Sequence, residues 1–240
     1  MGRGIKLPHL VLATAMALYF AALTNAQNLA IGAHASTLGV GGDVAVKVAE
    51  WANVRGSFNF YQYERGLIKD GIHYKGNVNL RSGAAYLDWF PFRNGFHLSP
   101  GLVFYNGNEA DMDAAVPAGQ TFTLGGTTYT NTVGALPITG HGSIVFPAVA
   151  PEVRVGWGNL IAKGERHIGF NVEVGAVFQG TPTASLHLQG TACDPTGRIC
   201  VDASNPIFQS SIQAEVAKIN NSISSFKVYP VLSTGFAYRF

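Results

Sequence analysis

Hydrophobic and polar residues alternate along residues 226–240, at the end of the chain. Phe226, Val228 and Leu232 fall on one face of the predicted strand with the terminal aromatic residues, whereas Lys227 and Arg239 fall on the other. A period of two is the pattern of a β-strand with one apolar and one polar face. In a transmembrane β-barrel these faces meet lipid and lumen. A soluble β-sandwich would give the same alternation, so this segment alone leaves both folds open.

Seven further segments have the length and alternation of half-buried strands. The apolar phase changes near Ser82 and Gly83, which predicts a bulge there. A kink or bulge is expected at Pro100 and another near Pro230, because proline removes a hydrogen-bond donor from the ladder. The eight predicted strands cover residues 29–38, 43–51, 53–63, 76–90, 95–106, 148–158, 167–179 and 226–240.

The links between the predicted strands alternate in length. Links at 52, 91–94 and 159–166 are short, whereas those at 64–75, 107–147 and 180–225 are long; the first link, near 39–42, is a short one on the long-loop side. Short periplasmic turns and long external loops are typical of bacterial outer-membrane barrels. We therefore predict an all-β fold, an eight-stranded antiparallel transmembrane β-barrel of the outer-membrane type, over residues 27–240. Both termini are expected in the periplasm and the long loops outside the cell.

The start of the chain predicts export. Arg3 and Lys6 precede an apolar stretch over residues 10–23, and Ala26 ends a small-residue cleavage site before Gln27. Residues 1–26 are therefore predicted to be a cleaved signal peptide, with an uncleaved anchor as the alternative. The chain has 16 Lys and Arg against 14 Asp and Glu, so removal of Arg3 and Lys6 leaves it formally neutral. The basic balance consequently gives no reason to expect a nucleic-acid partner.

Composition agrees with a barrel. Charged residues make up 12% of the chain, about half of the share in soluble domains. The chain also has 29 Gly, 15 Phe and 9 Tyr, which suits closely approaching strands and aromatic rings at a membrane interface.

The tryptophans give an independent indication of topology. In the predicted barrel Trp51, Trp89 and Trp157 all fall at the periplasmic ends of their strands, at the level of Tyr238 and Phe240. Such a ring is predicted to be the periplasmic aromatic girdle. In a soluble sandwich the tryptophans would instead belong to the core, and nothing would require them all at one end.

Two cysteines, Cys193 and Cys200, are the only ones in the chain, with six residues between them. An exported chain meets an oxidising compartment, so a loop disulfide between them is predicted. Two thiols without a nearby histidine pair do not predict a metal site, and no cofactor is expected.

One helix is predicted in the seventh link, over residues 206–224. Asn205 is its expected N-cap, Pro206 its first residue, and an apolar stripe follows at three- and four-residue steps. The helix is expected to pack on the barrel mouth or on the loop at 107–147; docking a partner or a lipid is the alternative.

Within that loop, residues 121–130 predict a hairpin about Gly125 and Gly126 that extends the wall, with a surface for adhesion, phage or host contact as the alternative.

The polar faces of the strands carry charges of both signs. An eight-stranded barrel is narrow enough for side chains to fill it, and buried charges must be paired. These residues are therefore predicted to form a lumen network that closes the barrel, with a polar conduction path as the alternative. The predicted members are Lys47, Arg55, Arg81, Asp88, Glu152, Arg154, Glu173 and Arg239.

A catalytic alternative comes from His97 and Ser99, which lie two residues apart and so share one strand face. Some outer-membrane lipid A deacylases carry a His and Ser pair. Strand parity turns this pair toward the lumen, away from lipid acyl chains, so no catalytic residue is assigned. The other histidines show no ligand spacing, and Gly39 to Gly42 are interpreted as a turn because a strand follows them.

Four stretches resemble a family of uncharacterised small outer-membrane barrel proteins of Gram-negative bacteria. They are residues 55–60, 80–92 and 127–130 and the terminal strand, whose Phe236, Tyr238 and Phe240 are similar to the signal read by the barrel-assembly machinery. The resemblance implies insertion by that route and supplies no catalytic residues. More broadly the architecture resembles OmpA/OmpX-like and OmpW-like eight-stranded barrels.

These observations predict an outer-membrane protein with a structural or surface-interaction role and no catalysis. A narrow pore or carrier for small hydrophobic solutes is the first alternative, and a lipid A-modifying enzyme is a remote one. The expected partners are outer-membrane lipid, lipopolysaccharide and, during insertion, the assembly machinery. A monomer is expected.

Overall fold

The structure, a computed structural model, describes residues 28–69, 71–132 and 136–240, so the predicted signal peptide at 1–26 lies outside the described residues. The described residues form fifteen strands and one helix, α1 (Pro206–Ile223). The strands are β1 (Leu29–Ser36), β2 (Gly39–Ala49), β3 (Ala52–Lys69), β4 (Ile72–Trp89), β5 (Phe96–Asn106), β6 (Glu109–Val116), β7 (Thr121–Leu124), β8 (Thr127–Thr130), β9 (Ile138–Val145), β10 (Ala150–Asn159), β11 (Ile168–Val177), β12 (Thr183–Gln189), β13 (Thr191–Cys193), β14 (Cys200–Asp202) and β15 (Tyr229–Arg239).

Eight strands close into an antiparallel barrel in the order β1, β2, β3, β4, β5, β10, β11 and β15. Closure comes from β15 pairing with β1, in a register that sets Ala30 opposite Arg239 and Ser36 opposite Ser233. The eight predicted strands and their antiparallel order are thereby confirmed.

Alternation along the barrel strands separates two environments. Phe58, Phe170 and Phe236 point outward and are 63%, 61% and 65% exposed, whereas the neighbouring Ser57 and Asn171 are buried inside. A soluble protein rarely leaves so much contiguous apolar surface uncovered. An outward apolar band around a closed, polar-lined barrel is instead the arrangement of an outer-membrane-type β-barrel.

The two ends of the barrel differ. One end, here the short-turn end, has the turns at 50–51, 90–95 and 160–167 together with both ends of the barrel domain, and the opposite end is the long-loop end. Two predictions about the long-loop end were wrong. Residues 64–75 are not a loop, because β3 and β4 continue as one hairpin from Lys69 to Ile72. The first turn is at Thr37 and Leu38 rather than at 39–42, because Gly39 to Gly42 already pair within β2.

A folded cap stands on the long-loop end. Its main sheet continues the barrel wall from the upper part of β4 through β6 and β9 to β12, and a second sheet contains β7, β8, β13 and β14. The predicted hairpin at 121–130 is present as β7 and β8, with Gly125 and Gly126 at positive φ in its turn. The expectation that it extends the barrel wall was wrong, because it belongs to the second sheet and the wall is continued by β6 and β9. A hydrophobic core joins the two sheets to α1; its buried members are Ile72, Val116, Leu124, Tyr129, Ile138, Ala192, Ala203, Phe208 and Ile212.

The helix α1 begins as predicted, with the Asn205 side chain accepting a hydrogen bond from the backbone N–H of Ile207 and with Pro206 in the first turn. Phe208 and Ile212 on its buried side belong to the cap core. Within the described residues, no helix combines the length and the apolar character needed to cross a bilayer.

The ladder irregularities only partly match the prediction. The pairing of β4 with β5 shifts between Gly83 and Ala84, which confirms the predicted bulge. The β10 and β11 registers run past Pro100 and Pro230 without a shift, so neither proline produces the bulge that was one of the two expected outcomes. Pro230 is the second residue of its strand, a position where a missing donor costs little.

Candidate functional site

The centre of the barrel holds Arg55, which is 2% exposed and bonded to two carboxylates. Its Nε and Nη2 donate to Asp88 at 3.0 and 2.9 Å, a bidentate contact that fixes the guanidinium plane. Its Nη1 donates to Glu173 Oε2 at 3.1 Å. Strands β3, β4 and β11 are thus joined across the lumen by one side chain.

A second guanidinium, Arg154 on β10, completes the central layer. It donates to Glu152 Oε1 at 2.6 Å, to Glu173 Oε2 at 3.2 Å and to the Tyr86 hydroxyl at 2.6 Å. The Tyr86 hydroxyl in turn donates to Glu152 Oε2 at 2.7 Å. The Tyr86 ring centroid lies 4.6 Å from the guanidinium carbons of both Arg55 and Arg154, so the ring also contributes cation–π contacts.

A neighbouring cluster toward the long-loop end is built on β1, β2 and β3. His34 Nδ1 lies 2.8 Å from Asp43 Oδ2, and its Nε2 lies 2.8 Å from Asn59 Oδ1. Ser57 donates to the other oxygen of Asp43, which lies 4.0 Å from Arg55 Nη1. This oxygen therefore connects the cluster to the central layer, and the two form one network.

The network is balanced in charge only if its histidines are protonated. Its buried members include four carboxylates, two guanidinium groups and two imidazoles. With both imidazoles protonated, four positive groups face four negative ones, and a buried charge without a partner would be costly. The eight groups are Asp43, Asp88, Glu152, Glu173, Arg55, Arg154, His34 and His97.

Apolar layers close the lumen on both sides of this network. At the short-turn end, Leu160 and Ile161 are buried against Ala30, Ala45 and Ala237. Toward the long-loop end, the Tyr86 ring of the network packs against an apolar layer of Leu38, Ala84, Val103, Ala150, Val177 and Val231. The middle of the described lumen is therefore occupied by buried side chains, as expected for eight strands.

Five of the eight residues predicted for the lumen lie in this network: Arg55, Asp88, Glu152, Arg154 and Glu173.

The prediction for Arg81 was wrong. Arg81 is opposite Phe60 in the β3–β4 ladder and faces outward with it. That ladder runs without a shift, because the bulge affects only the side of β4 that pairs with β5. Val78 lines the inside of the cap. The prediction assumed that this apolar residue faces lipid, and it therefore placed Arg81, three residues later, on the lumen face.

Two further predicted members lie away from the network, at the short-turn rim. Lys47 is half-buried and its Nζ lies 2.6 Å from Glu50 Oε1. Arg239 donates to the backbone carbonyls of Ala162 and Gly164, at 2.6 Å each, and so holds the turn that closes this end. The alternation of side chains along each strand correctly predicted that both residues face inward. It gave no information about their position along the barrel axis.

His97 and Ser99 face the lumen and are engaged separately. Ser99 donates to Asp88 Oδ1 at 2.7 Å, and His97 Nε2 lies 3.1 Å from Glu173 Oε1. Both are buried, and no hydrogen bond joins them to each other in the described structure. A nucleophile bonded to its base and open to substrate is therefore not formed here.

Several network residues were missed: His34, Asp43, Ser57, Asn59 and Tyr86. Asp43 could have been predicted from the alternation along β2, because Val40 and Val44 face outward and Asp43 therefore faces inward. His34 gave no such signal alone, because its partner is on another strand and only the register of β1 against β2 brings them together.

The aromatic residues predicted as a girdle lie together at the short-turn end. Trp51, Trp89, Trp157, Tyr238 and Phe240 are all exposed there. The backbone N–H of Phe240 donates to the carbonyl of Leu29 at 3.2 Å.

Cys193 and Cys200 form a disulfide that joins β13 to β14 in the cap. Among the described residues, no group of three or more His, Cys, Asp or Glu side chains is placed to hold a metal ion.

Two solved structures are similar to this chain. Acinetobacter baumannii CarO is 21% identical with a TM-score of 0.52, over 88% of this chain and 97% of its own. Acinetobacter baumannii CarO2 is 17% identical with a TM-score of 0.54, over 88% of this chain and 98% of its own. At these identities the likeness concerns the fold. No protein-family model matches the chain, and neither does any curated protein.

Proposed function

We propose that this protein is a bacterial outer-membrane barrel that does not conduct solutes and that presents its cap outside the cell as an interaction surface. The observation that carries the proposal is the filled lumen, in which a buried ion-pair network lies between two apolar layers.

The outward apolar band supports the membrane location. It faces outward around a barrel with no free edge, which is the requirement for strands that cross a bilayer. Exposed aromatic residues at the short-turn end fit an interfacial girdle on the periplasmic side. The terminal Phe240, paired beside Leu29 at the barrel seam, fits insertion by the barrel-assembly machinery.

The build of the cap supports an interaction role. It has two sheets, a helix, its own hydrophobic core and a disulfide, whereas simple connections between strands need only a few residues. A rigid structure of this size on the long-loop end would meet lipopolysaccharide and extracellular partners. Because His97 and Ser99 are bonded into the lumen network, the proposal includes no catalysis.

Conductance tests the lumen. Purified protein, shown to be folded by its altered gel migration without heating, should give no single-channel steps in a planar bilayer. Reproducible steps from such protein would contradict the proposal and favour the narrow-pore alternative.

Cysteine labelling on intact cells tests the orientation. Gln213→Cys is an exposed position on α1 in the cap, and Glu165→Cys is its matched control in an exposed short turn. A membrane-impermeant maleimide should label Gln213→Cys on intact cells and Glu165→Cys only after the outer membrane is permeabilised. The reverse pattern would refute an external cap.

A further inference from the structure

The cap contains a cavity of about 560 Å³ between its main sheet and the elements that cover it. The sheet supplies one wall, and β7 with Phe122 and α1 with Ile219 supply the other. A space of this size falls in the range of pockets that hold small molecules, roughly 300–1,000 Å³. The lumen network does not use it.

The sequence creates this space through small residues on one face of the sheet. Gly76, Met112 and Gly142 are cross-strand neighbours in one row. A Cβ atom added at Gly142 would meet no atom closer than 3.7 Å, and one added at Gly76 none closer than 3.8 Å. Met112 stands between the two glycines and is 50% exposed. Its flexible thioether suits contact with apolar ligands of different shapes.

Hydrogen bonds hold the covering elements in place. Ser211 on α1 bonds Tyr129 at 2.8 Å, Glu215 accepts from the backbone N–H of Gly125 at 3.1 Å, and Asn220 accepts from that of Ala184 at 2.8 Å. Fixed at three points along its length, the helix is not free to collapse onto the sheet. The cavity is therefore preformed, as small-molecule sites usually are.

The charged residues that line the cavity limit the charge that a ligand can carry. Among the described residues that line the cavity, only Asp111 and Glu215 are charged, and both are acidic. The Glu215 carboxylate is already bonded to β7, and Asp111 shares the opposite, polar face of the sheet with Ser143. An anionic molecule would meet the Glu215 carboxylate and, among the residues that line the cavity, no Lys or Arg to pair it.

We infer that the cap cavity binds a small, uncharged, apolar molecule. Filling it would restore the dispersion contacts that the apolar lining lacks while the space is empty. This inference goes beyond the proposed function, since it concerns a ligand inside the cap and holds for either orientation of the barrel.

Two fluorescent probes with the same ring system test the inference on the full chain in detergent. N-phenyl-1-naphthylamine is uncharged, whereas 8-anilino-1-naphthalenesulfonate carries a sulfonate. The variants are Gly142→Phe, which fills the cavity, and Thr139→Phe, a control at an exposed position on the opposite face of the same strand. Uptake of probe by micelles is common to all samples and cancels in the comparison.

The uncharged probe should bind saturably, one per chain, to the natural protein and to Thr139→Phe. Gly142→Phe should raise the dissociation constant of this probe by about tenfold or more, because the phenyl ring occupies the space that the probe would fill. Gly76→Phe fills the same space from β4 and serves as the second variant if Gly142→Phe does not fold. Absence of saturable binding to the natural protein, or unchanged binding to a folded glycine variant, would overturn the inference. Equal binding of the sulfonate probe would overturn the assigned ligand class.

Discussion

Replacing Glu173 with Gln should destabilise the barrel strongly. The two carboxylate oxygens of Glu173 contact Arg55 through two nitrogens, His97 at 3.1 Å and Arg154 at 3.2 Å. A Gln side chain keeps the shape but carries no charge, and its NH₂ group would face donors. Removing one partner of a buried ion pair typically costs about 3–5 kcal/mol, because the remaining charge stays buried. We expect a loss of unfolding free energy of about that size.

The assay is denaturant unfolding from lipid vesicles, followed by tryptophan fluorescence. Glu64→Gln is the matched control, because Glu64 lies 3.2 Å from Lys75 in an exposed pair, which should contribute about 0–1 kcal/mol. Combining Glu173→Gln with Arg154→Met removes one charge of each sign, so the double variant should be more stable than the sum of the single effects predicts. A Glu173→Gln loss no larger than that of the control would refute the argument that the network stabilises the lumen.

Two further predictions concern a glycine and a histidine. Gly156→Ala places a Cβ atom 2.7 Å from His97 Nε2 and should lower the unfolding free energy by about 1–3 kcal/mol. Gly56→Ala is the control, because its Cβ atom meets nothing within 4 Å and the variant should unfold like the natural protein. Equal denaturation midpoints for the two variants would contradict this prediction. The hydrogen bond that the His141 imidazole donates to the Asp113 carboxylate raises the pKa of His141 in the cap, so Asp113→Asn should lower the His141 titration midpoint measured by NMR. Since the folded-state pKa is raised, the stabilisation by this pair is complete below about pH 6.5 and is lost as pH rises through the raised pKa. An unchanged midpoint would show that the pair does not form.

The barrel was predictable because lipid exposure imposes a strong alternation on each strand. In β11, Phe170, Val172 and Val174 point outward in one unbroken phase, so the strand and its faces follow from the sequence alone. The interior residues were predictable where parity held, as for Arg154. Parity gave no height within the barrel, which is why Lys47 was assigned to a network that it does not reach.

The cap was not predictable in the same way. Its main sheet has one apolar face toward α1 and one polar face toward solvent, but small residues such as Gly140 and Gly142 fill much of the apolar face and weaken the alternation. Strands β6, β9 and β12 are also far apart in sequence, so each looks like part of a polar loop until its partners are known. Among the cap strands, only the hairpin at 121–130 carried a local signal, the glycine pair at its turn.

The seam between β1 and β15 decides whether the barrel is complete. Ala30 and Arg239, which lie near opposite ends of the barrel domain in sequence, are paired, so the barrel closes only when β15 meets β1. Until then both edges of the sheet have unpaired backbone groups, which a bilayer interior does not tolerate. A barrel truncated before Tyr229 would therefore lack its closing strand and would leave both edges of the sheet unpaired.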